Sequence, residues 1–236
     1  MMPSVRLDRV LGNLGHGSRP TVQRLVRAGR VTVLGEAVRD PARHVARAAD
    51  VALDGVTLDH PEGVLVALHK PAGHVCTRAD DEGPTVHDLL PPAWAARSPR
   101  PEPVGRLDRD TSGLLLVTDD HALLHRLTSP RLDVPKTYRA TLARPVTPEQ
   151  VDALAGGTLV LRGETAPCRP AVVEVVDERV VVVTVTEGKY HQVRRMVAAC
   201  GNHVEALHRT AVGGCELGDL GEGAWRDVPH AEISTR

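Results

Sequence analysis

The feature that most constrains the fold is a series of short apolar segments that begins near residue 64. They are five to nine residues long and rich in β-branched side chains, which is typical of strands: GVLVALHK (63–70), LLLVT (114–118), KTYRATL (136–142), AVVEVV (171–176) and RVVVVTVTE (179–187). Segments with helical periodicity lie between them, among them DDHALLHRL (119–127) and HQVRRMVAAC (191–200). This alternation predicts an α+β domain built on a mixed, mainly antiparallel sheet.

The first 57 residues follow a different pattern. Residues 5–14 and 20–28 have the apolar spacing of two short helices, and residues 30–38 form a predicted hairpin around Leu34 and Gly35. A further strand, DVALDG, follows at 50–55. This unit resembles the S4 RNA-binding domain. We therefore predict an S4-like domain at 1–57, a linker at 58–63 and a larger second domain at 64–236.

Charge is distributed unevenly along the chain. Residues 1–48 contain nine arginines and three acidic residues, a net charge of +6, whereas the whole chain carries −1. Such an imbalance favours an N-terminal domain that binds a polyanion, although a solvated arginine-rich face gives the same pattern. On and beside the second predicted helix, the candidate RNA contacts are Arg19, Arg24, Arg27 and Arg30.

Composition argues against several other classes of protein. No apolar stretch reaches the ~18 residues of a membrane span, and the N-terminus does not resemble a signal peptide. The four cysteines show no C-x-x-C pair or metal-finger spacing, so we expect small buried side chains and no metal site. These features predict a cytoplasmic protein.

The most informative stretch is VGRLDRDTSGLLLVTDD at 104–120. A polar loop with two aspartates leads directly into an apolar strand, which places polar side chains at the rim of a rigid sheet. Taken alone, this pattern is equally typical of a turn whose aspartates bond to their own main chain.

Residue by residue, GRLDRDTSGLLLVT resembles the signature of the pseudouridine synthases, in the branch that contains the enzyme of the small ribosomal subunit. Four further motifs occur in the family's order: LHKPAGHVCT (68–77), TSPRLDVPKTYRATL (128–142), EGKYHQVRRM (187–196) and GNHVEALHR (201–209). The resemblance implies cofactor-free isomerisation of a specific uridine in ribosomal RNA. It favours 16S over 23S rRNA as the partner.

The resemblance also implies three catalytic residues. Asp108 occupies the position of the catalytic carboxylate, which acts either as a nucleophile on C1′ or as the base that removes the 2′ proton. Arg194 matches the basic partner of that carboxylate, and we expect its guanidinium to hold both carboxylate oxygens. Tyr138 matches the active-site tyrosine, which suits packing against the detached base or accepting the C5 proton.

Other residues are expected to contact RNA. Because the target atom is unreachable in stacked RNA, the nucleotide must leave the stack, and Arg106 is expected to support this step or to bind phosphate. Lys70 and Lys136 resemble supporting positions near the cleft, and the alternatives for each are a phosphate contact and a solvated lysine. His191, His203 and His208, which also lie in the motifs, are interpreted as RNA contacts or structural hydrogen bonders.

Three alternatives stay open on sequence alone. In the first, the chain is a non-catalytic ribosome assembly factor, and in the second it is a 23S rRNA enzyme. In the third, it is a metal-dependent enzyme, either a phosphoryl transferase or a nuclease, that uses Asp108 and Asp110. The substrate is either free RNA or an assembly intermediate. A monomer is expected, since no self-complementary apolar stripe stands out.

Overall fold

The computed structural model describes residues 4–77, 83–129 and 132–233. Within these ranges the chain forms two compact units. Of the described residues, the first unit combines 4–64, 90–102 and 117–121, and the second combines 65–77, 83–89, 103–116, 122–129 and 132–233. In the described part of the chain, no helix has the length and apolar character needed to cross a membrane.

The first unit contains the two helices that the sequence predicts, α1 (Leu7–Asn13) and α2 (Arg19–Arg27). Its strands are β1 (Val5–Arg6), β2 (Val31–Val33), β3 (Glu36–Val38), β4 (His44–Val45), β5 (Val51–Leu53) and β6 (Val56–Thr57). Four of them form an antiparallel sheet in the order β3-β2-β5-β6, and β1 pairs with β4. The β2–β3 hairpin turns at Leu34 and Gly35, both with positive φ, as its two-residue length requires.

The segment predicted as a linker packs within the first unit. Asp59 accepts a hydrogen bond from the Trp94 indole at 2.6 Å, and Arg97 donates to the carbonyl oxygens of Asp59 and His60. Arg97 also pairs with Asp119 at 3.2 Å. Residues 90–102 and 117–121 therefore belong to the first unit, although they follow the predicted linker in the sequence. The domain boundary at 58–63 stays a prediction.

Asp8 of α1 is a buried carboxylate that contacts α2, with 5% of its surface exposed. Arg6 donates two hydrogen bonds to it at 3.0 and 2.7 Å, and Gln23 donates a third at 3.3 Å. The hydrogen bonds from Arg6 contribute most to lowering the pKa of Asp8, to about 2. The folded state therefore favours the ionised carboxylate.

We expect Asp8→Asn to lower the free energy of unfolding by about 2 kcal/mol at pH 7, from the difference between the folded and unfolded pKa values. Because the pKa is depressed in the folded state, this stabilisation is present above about pH 4 and is lost as the pH falls towards 2. Urea unfolding at pH 7 and pH 2.5 measures it. Exposed Asp152, changed to Asn, is the control, and an equal Asp8→Asn effect at both pH values would contradict the assignment.

The remaining strands belong to one nine-stranded sheet: β7 (Leu65–Lys70), β8 (Glu102–Pro103), β9 (Thr111–Thr118), β10 (Lys136–Leu142), β11 (Val172–Asp177), β12 (Val180–Val185), β13 (Val204–Val212), β14 (Cys215–Glu216) and β15 (Trp225–Asp227). The main order is β11-β12-β10-β13-β9-β7-β15, with β14 beside β13 and β8 beside β9. Strand β10 pairs antiparallel with β12 and β13, whereas β13 pairs parallel with β9. The predicted mixed, mainly antiparallel α+β fold is confirmed.

Three helices accompany this sheet: α3 (His121–Thr128), α4 (Pro148–Ala155) and α5 (Gln192–Ala199). Leu154 of α4 and Val193, Met196 and Val197 of α5 share one apolar cluster with β10, β12 and β13. Leu123 and Leu127 of α3 belong to a second cluster with β7 and β9. Because these clusters fix the strands and α5, loops at the strand ends can hold polar side chains in place.

Candidate active site

The loop at 104–110, which precedes β9, is held by the side chain of Lys70. The ammonium donates hydrogen bonds to the carbonyl oxygens of Pro71, Arg109 and Thr111 at 3.0, 3.2 and 2.7 Å. Lys70 is fully buried, and this burial lowers its pKa. Three main-chain acceptors are thus satisfied by one internal donor, which fixes the course of the loop.

The prediction that Lys70 contacts RNA is therefore wrong. The ammonium has three donors, and each already has a main-chain acceptor, so none is left for a phosphate. The loop carbonyls turn inward towards β7, so the lysine acts inside the protein. Sequence alone does not show the direction of these carbonyls.

Cys76 provides a second attachment for the same loop. The Leu107 amide donates to its sulfur at 3.5 Å, and the thiol donates to the Leu107 carbonyl at 3.6 Å. Burial raises the pKa of Cys76, which keeps it a thiol. Both main-chain polar groups of Leu107, the residue before Asp108, therefore have a hydrogen-bond partner.

A cavity of about 230 Å³ lies beside Asp108, over the face of the sheet formed by β9, β10, β12 and β13. Its volume is several times the roughly 30 Å³ of a water molecule, so it admits a small planar ring. Polar residues in its wall include Arg106, Asp108, Thr111, Lys136, Tyr138, Glu187, Lys189, His191 and Arg209. The structure therefore brings together Asp108 and Tyr138, which are 30 positions apart in the chain.

His191 is the side chain that contacts Asp108. Its Nε2 atom lies 3.2 Å from Oδ1 of Asp108, and both side chains are about one-third exposed. His191 precedes α5 in a left-handed conformation, with φ 46° and ψ 38°, and its ring stacks on Tyr190 with centroids 3.8 Å apart. When protonated, this imidazole is the cationic neighbour of the carboxylate.

The prediction that Arg194 holds both oxygens of Asp108 is wrong. Its guanidinium donates instead to the carbonyl oxygens of Asp110 at 3.3 Å and Val204 at 3.1 Å, and the structure has no ion pair between Arg194 and Asp108. His191 precedes α5 and Arg194 lies in its first turn, and the two side chains contact different residues of the same loop, Asp108 and Asp110. Arg194 thus ties the loop to β13 through main-chain atoms.

Tyr138, Thr111 and Arg209 lie on one face of three adjacent strands. Tyr138 pairs with Arg209 across β10 and β13, and the Arg209 guanidinium lies 6.0 Å from the centre of the tyrosine ring. In the parallel β9–β13 pair, Gly113 faces Arg209, and a Cβ atom there would lie 2.2 Å from the Arg209 carbonyl oxygen. Only glycine permits this close approach, which brings the start of β9 against β13.

The two other predicted contacts in this unit differ in exposure. Arg106 is exposed and contributes to the cavity and to a neighbouring depression with Arg109 and Tyr190. Lys136 is half-buried, donates to the Val134 carbonyl at 2.9 Å, and has a pKa lowered mainly by burial. Lys136 is therefore part of the cavity wall.

The predicted RNA-binding arginines of the first unit are all exposed. Arg30, however, donates two hydrogen bonds to Asp54 at 2.8 and 2.6 Å, which neutralises its charge locally. Arg19 lies 3.8 Å from Asp8 and keeps 74% of its side chain exposed, whereas Arg24 and Arg27 make only long contacts within α2. Three of the four arginines are thus better placed than Arg30 to meet a phosphate.

The other motif histidines lie apart from Asp108. His208 shares a hydrogen bond with Ser112 at 2.8 Å, and burial lowers its pKa, which agrees with a structural role. His203 is exposed. Pro130 and Arg131, from the motif at 128–142, fall outside the described residues. Among the described side chains, His, Cys, Asp and Glu form no cluster of three or more that could hold a metal ion.

Two protein-family models and several full-length relatives match this chain. The family model described as RNA pseudouridylate synthase matches residues 64–199, and the S4 domain model matches residues 5–51. The protein named ribosomal small subunit pseudouridine synthase A from Escherichia coli K12 is 42% identical over 235 residues, with 98% of this chain and 99% of the relative covered. Its namesake from Pasteurella multocida is 40% identical over 233 residues, with the same coverage.

A solved structure supports the same relationship. The crystal structure described as pseudouridylate synthase is 36% identical to this chain, has a TM-score of 0.67, and is matched over 98% of both chains. The region that the RNA pseudouridylate synthase family model matches includes the loop of Asp108, the strand of Tyr138 and helix α5. The chain belongs to the RNA pseudouridylate synthase family and carries an N-terminal S4 domain.

Proposed function

We propose that this protein converts one specific uridine of small-subunit (16S) ribosomal RNA into pseudouridine, without a cofactor and with Asp108 as its catalytic carboxylate. The observation that carries the proposal is the position of Asp108, on a clamped loop at a cavity that also contains Tyr138. The names of the full-length relatives favour the small ribosomal subunit as the source of the RNA.

The reaction breaks the bond between N1 and C1′, turns the uracil and joins C5 to C1′. Nothing is oxidised and no phosphate is transferred, so the chemistry requires a carboxylate, a base and a closed space. Asp108 acts at the ribose, either by attacking C1′ or by removing the 2′ proton. Both routes need an ionised carboxylate beside the sugar.

Tyr138 is proposed to pack against the detached uracil and to serve the proton transfer from C5. Its ring is partly buried in the cavity wall next to Leu207 and Val185, which favours a flat apolar contact with a base. Its hydroxyl provides the polar group that a proton transfer needs.

Entry of the uridine requires that it leave the RNA stack. Exposed Arg106, two residues before Asp108, is placed to contact the RNA beside the vacated position. Arg19, Arg24 and Arg27 are proposed to bind phosphates and orient the RNA, which contributes affinity without reading its sequence.

His191 is proposed to hold the Asp108 carboxylate in place. We expect His191→Gln to lower kcat by about 10- to 100-fold, because a carboxylate that loses its neighbour at 3.2 Å is less precisely positioned beside the ribose. The affinity for RNA should change little. Tritium release from RNA labelled at uridine C5 measures kcat, and exposed His125→Gln is the control. Equal kcat values for the two variants, or an effect on RNA affinity alone, would remove His191 from this role.

The target is tested by mapping pseudouridine across 16S and 23S rRNA from cells with and without the gene, as carbodiimide-dependent stops of reverse transcription. We expect one stop in 16S rRNA that disappears with the gene and returns with wild-type protein. A gene-dependent stop in 23S rRNA instead would assign a large-subunit substrate. No gene-dependent stop in either RNA would favour a non-catalytic assembly factor.

A further inference from the structure

We propose that Arg209, together with Thr111, binds a carbonyl oxygen of the target uracil and stabilises the negative charge that the ring acquires when it leaves C1′. This inference rests on the proposed function and adds two residues to it. The same two residues would also hold the detached base while it turns.

The first observation is an unpaired donor inside the protein. Arg209 is 2% exposed, and its Nε atom donates to the Leu114 carbonyl at 2.7 Å. Its Nη2 atom is buried and has no hydrogen-bond partner. An arginine remains charged in proteins, and a buried donor without a hydrogen-bond partner destabilises the folded state. An unpaired donor of a buried arginine therefore indicates a partner that arrives with a ligand.

The second observation is independent and lies in the same wall. Thr111 is 1% exposed, and its Oγ1 atom also lacks a hydrogen-bond partner. Its main chain is fixed by Lys70 and by Asp108, so the hydroxyl cannot easily move away to find one. Thr111 pairs with Leu207, two residues from Arg209 on the same face of β13, and all three residues line the cavity.

The position of Tyr138 connects these groups to the base. The Arg209 guanidinium lies 6.0 Å from the centre of the Tyr138 ring, in the same cavity wall. A pyrimidine that rests against Tyr138 therefore has the guanidinium as a neighbour. The Arg209 guanidinium only donates, and uracil offers it two carbonyl oxygens, O2 and O4, as acceptors. The Thr111 hydroxyl both donates and accepts, so it can pair with the N3–H group or with the second carbonyl oxygen.

The chemistry gives this contact a role in the rate. When N1 separates from C1′, the bonding electron pair stays with N1 and spreads to O2 and O4. After C5 has joined C1′, C5 loses its proton to a base and N1 gains one, so no net charge remains. A guanidinium bound to a carbonyl oxygen stabilises the negative charge of the detached ring, which the bound uridine does not carry. The contact therefore lowers the activation barrier rather than strengthening binding of the substrate.

Enzyme variants test this role through tritium release and RNA affinity. Arg209→Met should lower kcat by about 10²- to 10³-fold, and Thr111→Val by about tenfold, the range for loss of hydrogen bonds to a developing anion. Arg209→Lys should restore part of the loss. The Kd for RNA should stay within a few-fold, and exposed Arg139→Met, on the same strand as Tyr138, should match wild type.

Substrate variants identify the contact itself, and Thr111→Val supplies the comparison if Arg209→Met folds poorly. RNA with 2-thiouridine or 4-thiouridine at the target weakens one carbonyl acceptor at a time. We expect one of them to slow wild type at least about tenfold, and to slow Thr111→Val or Arg209→Met much less. Wild-type kcat in Arg209→Met and Thr111→Val, or equal thio effects in every enzyme, would overturn the inference. Absence of tritium release by wild type would instead overturn the proposed function, and this inference with it.

Discussion

Replacing Asp108 by Asn is expected to abolish tritium release from RNA labelled at uridine C5, with kcat lowered at least about 10³-fold, as when an enzyme loses its nucleophile. The amide keeps the size of the side chain but cannot attack C1′ or remove the 2′ proton at a useful rate. The loop should stay in place, because Lys70 and Cys76 hold its main chain and not the Asp108 carboxylate. RNA affinity should therefore remain near the wild-type value.

Asp110→Asn is the matched control for this result. It lies in the same loop with an exposed side chain, and it removes the same charge. We expect Asp110→Asn to stay within a few-fold of wild type, and wild type to remain active in EDTA if the RNA stays folded. Full activity in Asp108→Asn would refute the mechanism, and equal losses in both variants together with inhibition by EDTA would favour metal-dependent chemistry.

Lys70→Met is expected to destabilise the second unit by about 1–3 kcal/mol, the range for leaving buried polar groups without their hydrogen-bond partner. The change leaves the carbonyl oxygens of Pro71, Arg109 and Thr111 buried without their donor. Methionine fills much of the same volume, so the loss reflects hydrogen bonds and not a cavity. Chemical denaturation measures the stability, and tritium release below the unfolding transition measures activity.

Leu68→Met provides the comparison for a core substitution on the same strand. Leu68 is fully buried in β7, and this swap nearly conserves volume, so it should cost less than about 1.5 kcal/mol. Lys70→Met should also lower kcat, because the loop of Asp108 loses its support. A Lys70→Met protein as stable and active as Leu68→Met would show that the lysine does not fix this loop.

The fold was largely predictable from local patterns. The strand predicted at 136–142 has those bounds in the structure, and the hairpin at Leu34 and Gly35 follows from its two-residue turn. Such elements depend on side-chain periodicity and turn chemistry, which the sequence displays directly. The contribution of residues 90–102 to the first unit was not predictable, because it depends on contacts such as that between Trp94 and Asp59.

Two of the predicted site residues line one cavity, but the contacts of the other candidates were not predictable. The signature indicated Asp108 and Tyr138, and the sheet brings both to one cavity. The direction of a long side chain is set by the surrounding structure, which explains why Lys70 lies inside the protein and Arg194 binds carbonyl oxygens. His191 contacts Asp108 from a left-handed main-chain conformation before α5. No pattern of residues in the sequence predicts this conformation.

Arg209 was missed although a sequence signal existed. It lies at the inner position of a strand that otherwise buries Val204, Leu207 and Val212, and a charged residue among buried apolar ones suggests a specific partner. This arginine is the last residue of the motif at 201–209. Only the structure shows that one of its donors is left unpaired beside the cavity.

The most direct test of the account is a structure of the Asp108→Asn protein bound to its RNA substrate. We predict that the target uridine lies outside the base stack, with C1′ within about 3.5 Å of the residue 108 side chain, the separation expected for reacting groups. The base should rest against Tyr138. A uridine that remains stacked in the RNA, or that binds away from the cavity, would contradict the account.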